Sequence, residues 1–423
     1  MRLLFIMAIA MVSLTACNKV EEEIPPIPSS GGSGGSDSGN YADSIARVST
    51  VNLLQKHTTG NGFHVIIMAD GYTKSDISNG TYRKAVQKAA DAFFGKEPMA
   101  SLRDYIDIIE VEVPSNEQGV SKTKHDTALR TYFPDNTSNV YGDSIAIQTC
   151  ALRALTMVYN IQTTDELKAK FSNTLVITLL NSSTYKGVTL LSMDETVTDR
   201  IPSGFSLSYV PVTPIRPFGN INIDIMPYLI RHEGVGHGIG KLGDEYSYAG
   251  SVPTDENRKL VEDGLKYGFY MNTKYDASAN TPNAIQPIEQ TSWLYELAQN
   301  ANYAGLDINW YTGAFEYPIK FCRCSYYSIM NETYKPGNTA NNPNNNAFNT
   351  AGRAMIYKRI MKAADPSYTW DLDEFIAFDA KGRAEEAATL EESSSARGTV
   401  PYAAPAMPAE QPLLPPRIVQ FGL

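Results

Sequence analysis

The sequence predicts an α/β fold in which a mixed, twisted β-sheet packs against helices. Three apolar runs, at residues 65–69, 106–113 and 175–180, have the length and composition of strands. Two longer segments that lie among them, residues 82–94 and 144–159, have the pattern of helices. Strands that alternate with helices in this way favour a sheet with helices packed on it.

The remainder of the chain predicts a closing helix, a loop and a tail. Residues 351–364 predict a helix that completes the domain. Before it, residues 336–350 contain a run of asparagines that is typical of a mobile surface loop. Beyond residue 381, a stretch rich in Glu, Ala and Ser gives way to prolines, which predicts a weakly ordered tail over residues 381–423. The apolar end of this tail, residues 417–423, could still dock on the core.

The composition is that of a folded, acidic protein. Hydrophobic residues make up 43% of the 423 residues, and the formal net charge is −10. A disordered chain would be poorer in apolar residues, and a nucleic-acid-binding protein would carry a basic stripe. The composition therefore argues against disorder and against nucleic acid as a partner.

The N-terminal segment predicts export and lipid attachment. An apolar run from Leu3 to Leu14 precedes Thr15-Ala16-Cys17, which is the order of a bacterial secretory signal that ends at a lipidated cysteine. The run is shorter than the roughly 20 residues that a membrane span needs. We therefore expect a signal peptide over residues 1–16, membrane attachment through Cys17, and a Pro/Ser/Gly-rich tether over residues 17–40. The expected location is the bacterial outer membrane, with display at the cell surface as a further expectation.

One short segment carries the chemistry. Residues 231–246 hold two of the five histidines and three acidic residues. Neutral imidazoles and carboxylates are zinc ligands, and a hydrolytic zinc site leaves one position open for water. In the HExxH pattern, a Glu beside the first His accepts the proton of that water. His232, Glu233 and His237 therefore indicate a zinc peptidase site.

The spacing of the two histidines departs from the HExxH pattern. His232 and His237 are five residues apart, and at about 100° per residue a regular α-helix would turn the second ring about 140° from the first. A one-residue π-bulge would restore a common face, and Gly234, Gly236 and Gly238 would let the backbone distort at low cost. We therefore predict a widened turn between the histidines. The alternative is a glycine-rich turn with scattered surface histidines, because each glycine costs a helix about 1 kcal/mol relative to Ala.

Residues 232–246 resemble the M64 peptidases, a family named for an immunoglobulin A peptidase and placed within the wider metzincin-like zinc proteases. The resemblance implies a metzincin-like zincin fold that includes a zinc-binding helix. It also implies Zn²⁺ as the cofactor. The residues that it assigns to the site are three metal ligands, His232, His237 and Asp244, and one catalytic base, Glu233.

Two neighbouring positions, Asp244 and Glu245, are candidates for the third metal ligand. Asp244 lies seven residues after His237 and Glu245 lies eight after it, whereas metzincins place this ligand six residues after the second His. We favour Asp244. Glu245 is the alternative ligand, or it accepts a hydrogen bond from a ligand imidazole and so orients the ring.

Other segments extend the resemblance. Residues 63–73, 111–121 and 175–187 are similar to strands and loops of the family, and we expect coverage from about residue 48 to 365 within a peptidase domain over residues 41–380. Downstream, Met330 resembles the methionine of a Met-turn, the tight loop beneath the zinc ligands of metzincins. The alternative is an ordinary core methionine.

Three cysteines follow Cys17. An exported chain permits a disulfide, and we expect Cys150 to pair with Cys322 or Cys324. A Cys322–Cys324 bond is a strained alternative.

The remaining histidines predict no site. His57 and His125 lie in polar segments and are expected to be solvated, whereas His64 begins an apolar strand and is expected to be a half-buried, hydrogen-bonded ring. Asp70 precedes a glycine, which is first of all a turn pattern, so we assign it no catalytic role.

Together these observations predict an exported, lipid-anchored zinc endopeptidase that hydrolyses extracellular proteins, host glycoproteins among them. Its partners would be a protein or peptide substrate and the membrane. The alternative is a catalytically weak or inactive surface binding protein that uses the metal only to hold a loop.

Overall fold

The computed structural model describes ten stretches of the chain. They are residues 50–123, 126–134, 140–184, 186–192, 200–213, 215–218, 221–248, 253–331, 347–395 and 417–418. The predicted signal peptide and tether, with Cys17, lie outside the described residues, as do His125 and most of the predicted asparagine-rich loop.

The strands of the described residues are numbered in chain order. They are β1 Thr50–Gln55, β2 Phe63–Asp70, β3 Ile106–Glu112, β4 Thr174–Leu180, β5 Val188–Leu191, β6 Ser206–Pro211, β7 Ile215–Phe218, β8 Ile221–Asp224, β9 Thr273–Tyr275, β10 Ile285–Gln286, β11 Trp310–Ala314, β12 Tyr317–Arg323 and β13 Arg417–Ile418.

The α-helices are numbered in the same way. They are α1 Lys74–Ser78, α2 Thr81–Phe93, α3 Ser144–Tyr159, α4 Thr164–Ser172, α5 Met226–Leu229, α6 Asp255–Lys266, α7 Trp293–Gln299, α8 Thr350–Ala364 and α9 Leu372–Ser395. A π-helix, Ile230–Ile239, follows α5 directly, and short 3₁₀ turns cover Arg103–Tyr105 and Ala301–Tyr303.

A seven-stranded mixed sheet forms the centre of the fold, in the order β1-β3-β2-β4-β6-β5-β13. Strands β3, β2, β4 and β6 are parallel, whereas β1 runs antiparallel to β3 and β5 runs antiparallel to β6. Strand β13 pairs with β5 in parallel. The predicted α/β class with a mixed sheet is therefore confirmed. Each predicted strand and helix is also present, as β2, β3, β4, α2, α3 and α8, with ends within two residues of the prediction.

The sheet separates two apolar cores. Along β2, Val65, Ile67 and Ala69 face one core, and Ile66 and Met68 face the other. This follows from the period of two along a strand, and a strand that is buried on both faces reads as a continuous apolar run. The first core includes side chains of α2, the π-helix and α8, and the second includes those of α3 and α4.

A second, four-stranded antiparallel sheet, in the order β10-β11-β12-β9, lies C-terminal to the π-helix in the chain. The turn between β11 and β12 contacts the segment that follows the π-helix: the Phe315 backbone N–H donates to the Asp244 carbonyl at 3.0 Å, and the Glu316 N–H donates to the Tyr246 carbonyl at 3.0 Å. Both turn residues have positive φ, 50° for Phe315 and 69° for Glu316. Such a conformation is strained for bulky residues and persists only where the surroundings enforce it.

Helix α9 continues through the domain boundary predicted at residue 380 and ends at Ser395, so the predicted tail begins inside a helix. The division of the chain into domains stays a prediction. Further along, Arg417–Ile418 pairs with β5, which agrees with the expectation that the apolar end docks on the core. Among the described residues, no helix is both long and apolar enough to cross a bilayer.

Two of the predictions for isolated residues need correction. His57 is not solvated, because its side chain is 15% exposed and its Nδ1 lies 2.8 Å from the Asp107 carboxylate. His64 is bonded to the same carboxylate at 2.9 Å, as expected of a satisfied ring, but it is fully rather than half buried. Hydrogen bonds from His64 and Tyr159 outweigh the effect of burial and lower the pKa of Asp107 to about 2.

The other correction concerns the cysteines. Cys150, Cys322 and Cys324 are buried and free, so none of the predicted disulfides forms.

Asp70 anchors a loop. Its buried carboxylate accepts hydrogen bonds from Ser115, Thr127, Leu129 and Thr131.

Candidate metal and active site

The two histidines lie on a π-helix. The predicted widened turn between them is confirmed, but it extends over ten residues rather than a single bulge. In a π-helix each N–H bonds to the carbonyl five residues earlier, as the Gly240 N–H does to Val235 at 3.0 Å. His232 and His237, which differ by five positions, therefore lie one above the other on the same face.

The glycines of this helix allow close packing as well as distortion. A Cβ on Gly238 would lie 2.7 Å from Cδ1 of Leu175 in β4, and a Cβ on Gly234 would lie 3.2 Å from Cδ1 of Ile177. A Cβ on Gly236 would overlap Sδ of Met330 on the other side. The helix is thus held between the sheet and the loop that carries Met330, at distances that only glycine permits.

Hydroxyl groups from the sheet bind the backbone of the π-helix. Ser206 Oγ donates to the Gly238 carbonyl at 2.7 Å, and Ser208 Oγ donates to the Glu233 carbonyl at 3.1 Å. Thr189 Oγ1 lies 3.0 Å from the same Glu233 carbonyl. A buried carbonyl without a partner would be costly. The serines of β6 and the threonine of β5 therefore fix the position of the helix on the sheet.

Each histidine is oriented by a backbone carbonyl. His232 Nδ1 lies 2.9 Å from the Ile329 oxygen, and His237 Nδ1 lies 2.7 Å from the Leu242 oxygen. A carbonyl only accepts, so both Nδ1 atoms carry the proton and both Nε2 atoms of the neutral rings present lone pairs. The two Nε2 atoms lie 3.2 Å apart.

Asp244 completes the cluster. The chain reverses after the π-helix, where Lys241 has a positive φ of 50°, and this brings Asp244 Oδ1 to 3.3 Å from Nε2 of each histidine. Both carboxylate oxygens are buried, and neither has a hydrogen-bond partner. Three groups that all donate electron pairs therefore meet at one point in the interior.

This arrangement fits a divalent metal ion. A tetrahedral ion with bonds of about 2.0–2.1 Å separates its ligand atoms by about 3.3–3.4 Å. The three distances within the cluster, 3.2, 3.3 and 3.3 Å, agree with that spacing. Both imidazole nitrogens are also locked as acceptors by their Nδ1 bonds, which is how ligand histidines are usually held.

The charges of the cluster are strongly coupled. Burial would lower the pKa of His237, but the negative charge of Asp244 raises it above the ordinary value. Burial would likewise raise the pKa of Asp244, but the two histidines lower it. The carboxylate is therefore ionised in the interior, where a charge requires a cation beside it.

Glu233 lies beside the cluster with one oxygen held and one free. Its Oε2 accepts a hydrogen bond from Thr189 Oγ1 at 2.8 Å, whereas its buried Oε1 has no hydrogen-bond partner. A Cβ on Gly187 would lie 2.5 Å from Oε1, so a glycine is required there. Burial raises the pKa of Glu233, and the two histidines and Thr189 offset this only in part. Such a carboxylate is suited to accept a proton near neutral pH.

Glu245 points away from the cluster. Its carboxylate accepts hydrogen bonds from Asn272 Nδ2 at 2.9 Å, Asn349 Nδ2 at 2.9 Å and Ser328 Oγ at 2.5 Å. It contacts neither imidazole through a hydrogen bond, so the alternative role of orienting a ligand ring does not fit. Cys324 Sγ, 3.5 Å from the same carboxylate, belongs to this network and to no disulfide.

The network of Glu245 connects the Asp244 segment to the loop beneath the histidines. The Glu245 N–H donates to the Met330 carbonyl at 2.8 Å, and Ser328 Oγ also accepts from the Met330 N–H at 3.1 Å. The same loop supplies the Ile329 carbonyl that holds His232. Met330 is buried, and its side chain packs against Gly236 of the π-helix.

The sequence of the chain matches the profile of a known protein family. The sequence profile described as IgA Peptidase M64 matches residues 51–263, half of the chain. The chain belongs to the M64 peptidase family. The match runs from β1 into α6 and includes the whole His232–Asp244 cluster, but it ends well before residue 365, the limit expected from the sequence. Family membership indicates a peptidase. A search of curated proteins finds no match.

The sequence did not reveal the residues that support the site. Thr189 lies in an apolar strand, and Ser328, Asn272 and Asn349 lie far from the motif in sequence. A weak pattern was available in β6, where Ser206 and Ser208 alternate with apolar residues in a strand that is buried throughout. Buried hydroxyls at a period of two require acceptors on one face, and here these are helix carbonyls.

We predict that Glu245→Gln lowers the free energy of unfolding by about 1–3 kcal/mol, because its amide group would place donors opposite the donors of Asn272, Asn349 and Ser328. Urea unfolding in the presence of a chelator measures this without a contribution from bound metal. The control is Glu262→Gln, whose side chain is 42% exposed and pairs with Arg258, and it should change stability by less than about 0.5 kcal/mol. Equal stability of the two variants would contradict the assigned role of Glu245.

Proposed function

We propose that the protein is a zinc-dependent endopeptidase. The observation that carries the proposal is the convergence of His232 Nε2, His237 Nε2 and Asp244 Oδ1 within 3.3 Å of one another, beside a buried glutamate with a free oxygen. Nitrogen and carboxylate donors in a three-residue set are typical of catalytic zinc, which keeps its fourth position for water. Membership of the M64 family supports the same conclusion.

A metzincin-like arrangement is part of the proposal. The support comes from the loop of Met330, which packs beneath the ligand helix and supplies the Ile329 carbonyl to His232. Because that loop bonds to Glu245 as well, one tight turn contacts the segments that carry all three proposed ligands.

The proposed chemistry divides between the ion and the chain. Zinc would supply a Lewis acid that polarises the peptide carbonyl and makes a water molecule more acidic. Glu233 Oε1 accepts a proton from the attacking water and delivers it to the leaving amine. Burial raises the pKa of Glu233, which favours the first of these transfers, from water to the carboxylate.

Thr189 is a positioning residue in this scheme. Its hydroxyl is within hydrogen-bond distance of both Oε2 and the backbone oxygen of Glu233, at 2.8 and 3.0 Å. It thereby holds the carboxylate through Oε2 and leaves Oε1 without a hydrogen-bond partner. Gly187 packs against the same carboxylate, since a Cβ at this position would lie 2.5 Å from Oε1.

We predict that Glu233→Gln retains one zinc ion per chain and lowers kcat by about 10²–10⁴-fold, because the amide cannot accept the proton. His237→Ala should lose both the metal and the activity. Metal content and cleavage of an unbiased peptide library, both measured on protein shown to be folded, test these outcomes. Unchanged cleavage by Glu233→Gln would refute its role as base, and zinc without any cleavage by the native chain would favour a binding protein.

We predict that Thr189→Val lowers kcat by about tenfold with little change in metal content, because it removes one hydrogen bond to the base carboxylate. The matched control is Thr178→Val in strand β4 of the same sheet, since the buried hydroxyl of Thr178 has no hydrogen-bond partner. That control should keep the native kcat. An equal loss in both variants would show that the effect comes from packing.

We also propose that the protein is exported and anchored to the outer membrane through lipidated Cys17, with extracellular proteins, host glycoproteins among them, as substrates. The order of residues 1–17 and the tether that follows support this. In bacteria grown with a labelled fatty acid, the native protein should incorporate the label and Cys17→Ser should not. Absence of label from the native protein would reject the anchor.

A further inference from the structure

Strand β5 connects the proposed site to an edge of the central sheet. Its Thr189 bonds to Glu233, and Gly187, just before the strand, lies against the same carboxylate. One edge of β5 pairs with β6 through residues Val188 to Leu191. The other edge faces away from the parallel strands.

That second edge is occupied by a distant part of the same chain. Arg417 pairs with Leu190 and Ile418 pairs with Leu191, in parallel orientation. These two residues come after α9 has ended at Ser395, so a separate segment returns to the sheet at this point. It pairs immediately beside the residues that hold Glu233.

The pairing of β13 with β5 is short, so another extended segment can readily replace β13. Strand β13 has only two residues, and parallel pairs are slightly less stable per residue than antiparallel ones. An extended peptide adds to a sheet edge through backbone N–H and C=O groups. A peptide that approached Glu233 along β5 would need the groups of Leu190 and Leu191 that β13 now uses.

His232, Glu233, His237 and Asp244 all have 0% of their surface exposed. A peptide bond therefore reaches them only after a neighbouring segment has moved.

We propose that the segment of Arg417–Ile418 is an intramolecular competitor for an extended polypeptide at the edge of β5. The inference rests on the proposed peptidase function, because it treats that edge as the approach to the site. The segment keeps the edge paired, and a peptide substrate in extended conformation displaces it.

Hydrogen exchange tests the pairing without any need for catalysis. Two chains are compared, both with Glu233→Gln to prevent self-cleavage: the full chain and a chain that ends at Ser395. We expect amides of residues 188–191 to exchange at least tenfold faster in the shorter chain, while those of β4 keep their protection. Equal exchange in β5 would overturn the proposal.

A second variant tests the pairing in a chain of full length, in case the shorter chain misfolds. In the full chain, the double substitution Arg417→Pro and Ile418→Pro removes both backbone donors of β13. It should reproduce the faster exchange of β5. The matched control, Glu410→Pro in a stretch already rich in proline, should not, and if both or neither accelerated exchange the proposal would be rejected.

Kinetics with a synthetic peptide of residues 411–423 test the competition. Removal of residues 396–423 should lower KM at least threefold with kcat nearly unchanged, and the added peptide should restore the higher KM. Unchanged KM in the shorter chain, or no inhibition by millimolar peptide, would contradict the proposal. Absence of cleavage by every chain would reject the peptidase function instead, and the exchange experiment would then decide the pairing alone.

Discussion

The hydrogen-bond ladder of the π-helix is the constraint on which the whole site depends. Residues that bond five apart lie one above the other, so a five-residue spacing that would separate His232 and His237 in an α-helix brings their Nε2 atoms to 3.2 Å. A π-helix of ten residues needs support from outside, since isolated π segments are rare and short. Here the support consists of glycine contacts on two sides and of hydroxyls that bind the helix carbonyls.

The second requirement is that the histidine rings stay in one orientation and one tautomer. Carbonyl oxygens of Ile329 and Leu242 meet this requirement without adding charge. The loop of Ile329 is in turn bonded to Glu245, next to Asp244 in sequence. The two adjacent acidic residues therefore have different roles. Asp244 lies beside the histidines. Glu245 accepts hydrogen bonds from Ser328, Asn272 and Asn349.

Much of the fold was predictable, because strands buried on both faces read as short continuous apolar runs and helices read as longer segments with apolar positions at a period of 3.6. Strand β4 and helix α3 are examples, with ends within a residue of the prediction. The widened turn was predictable from ligand geometry together with glycine content, although its length was not, since no local pattern encodes ten residues of π-helix. Long-range partners such as Asn349 and Thr189 left no local pattern. The expected disulfide was wrong because a strand and a buried hydrogen-bond network, not proximity to Cys150, determine where Cys322 and Cys324 lie.

The central claim is that two imidazoles and one carboxylate share a single metal ion. The most direct measurement is a crystal structure of the zinc-loaded protein with anomalous scattering recorded at the zinc edge. We predict one strong anomalous peak at about 2.0–2.2 Å from His232 Nε2, His237 Nε2 and an oxygen of Asp244, with Glu245 still bonded to Ser328. A peak elsewhere, or a ring of His232 or His237 turned away from the others, would contradict it.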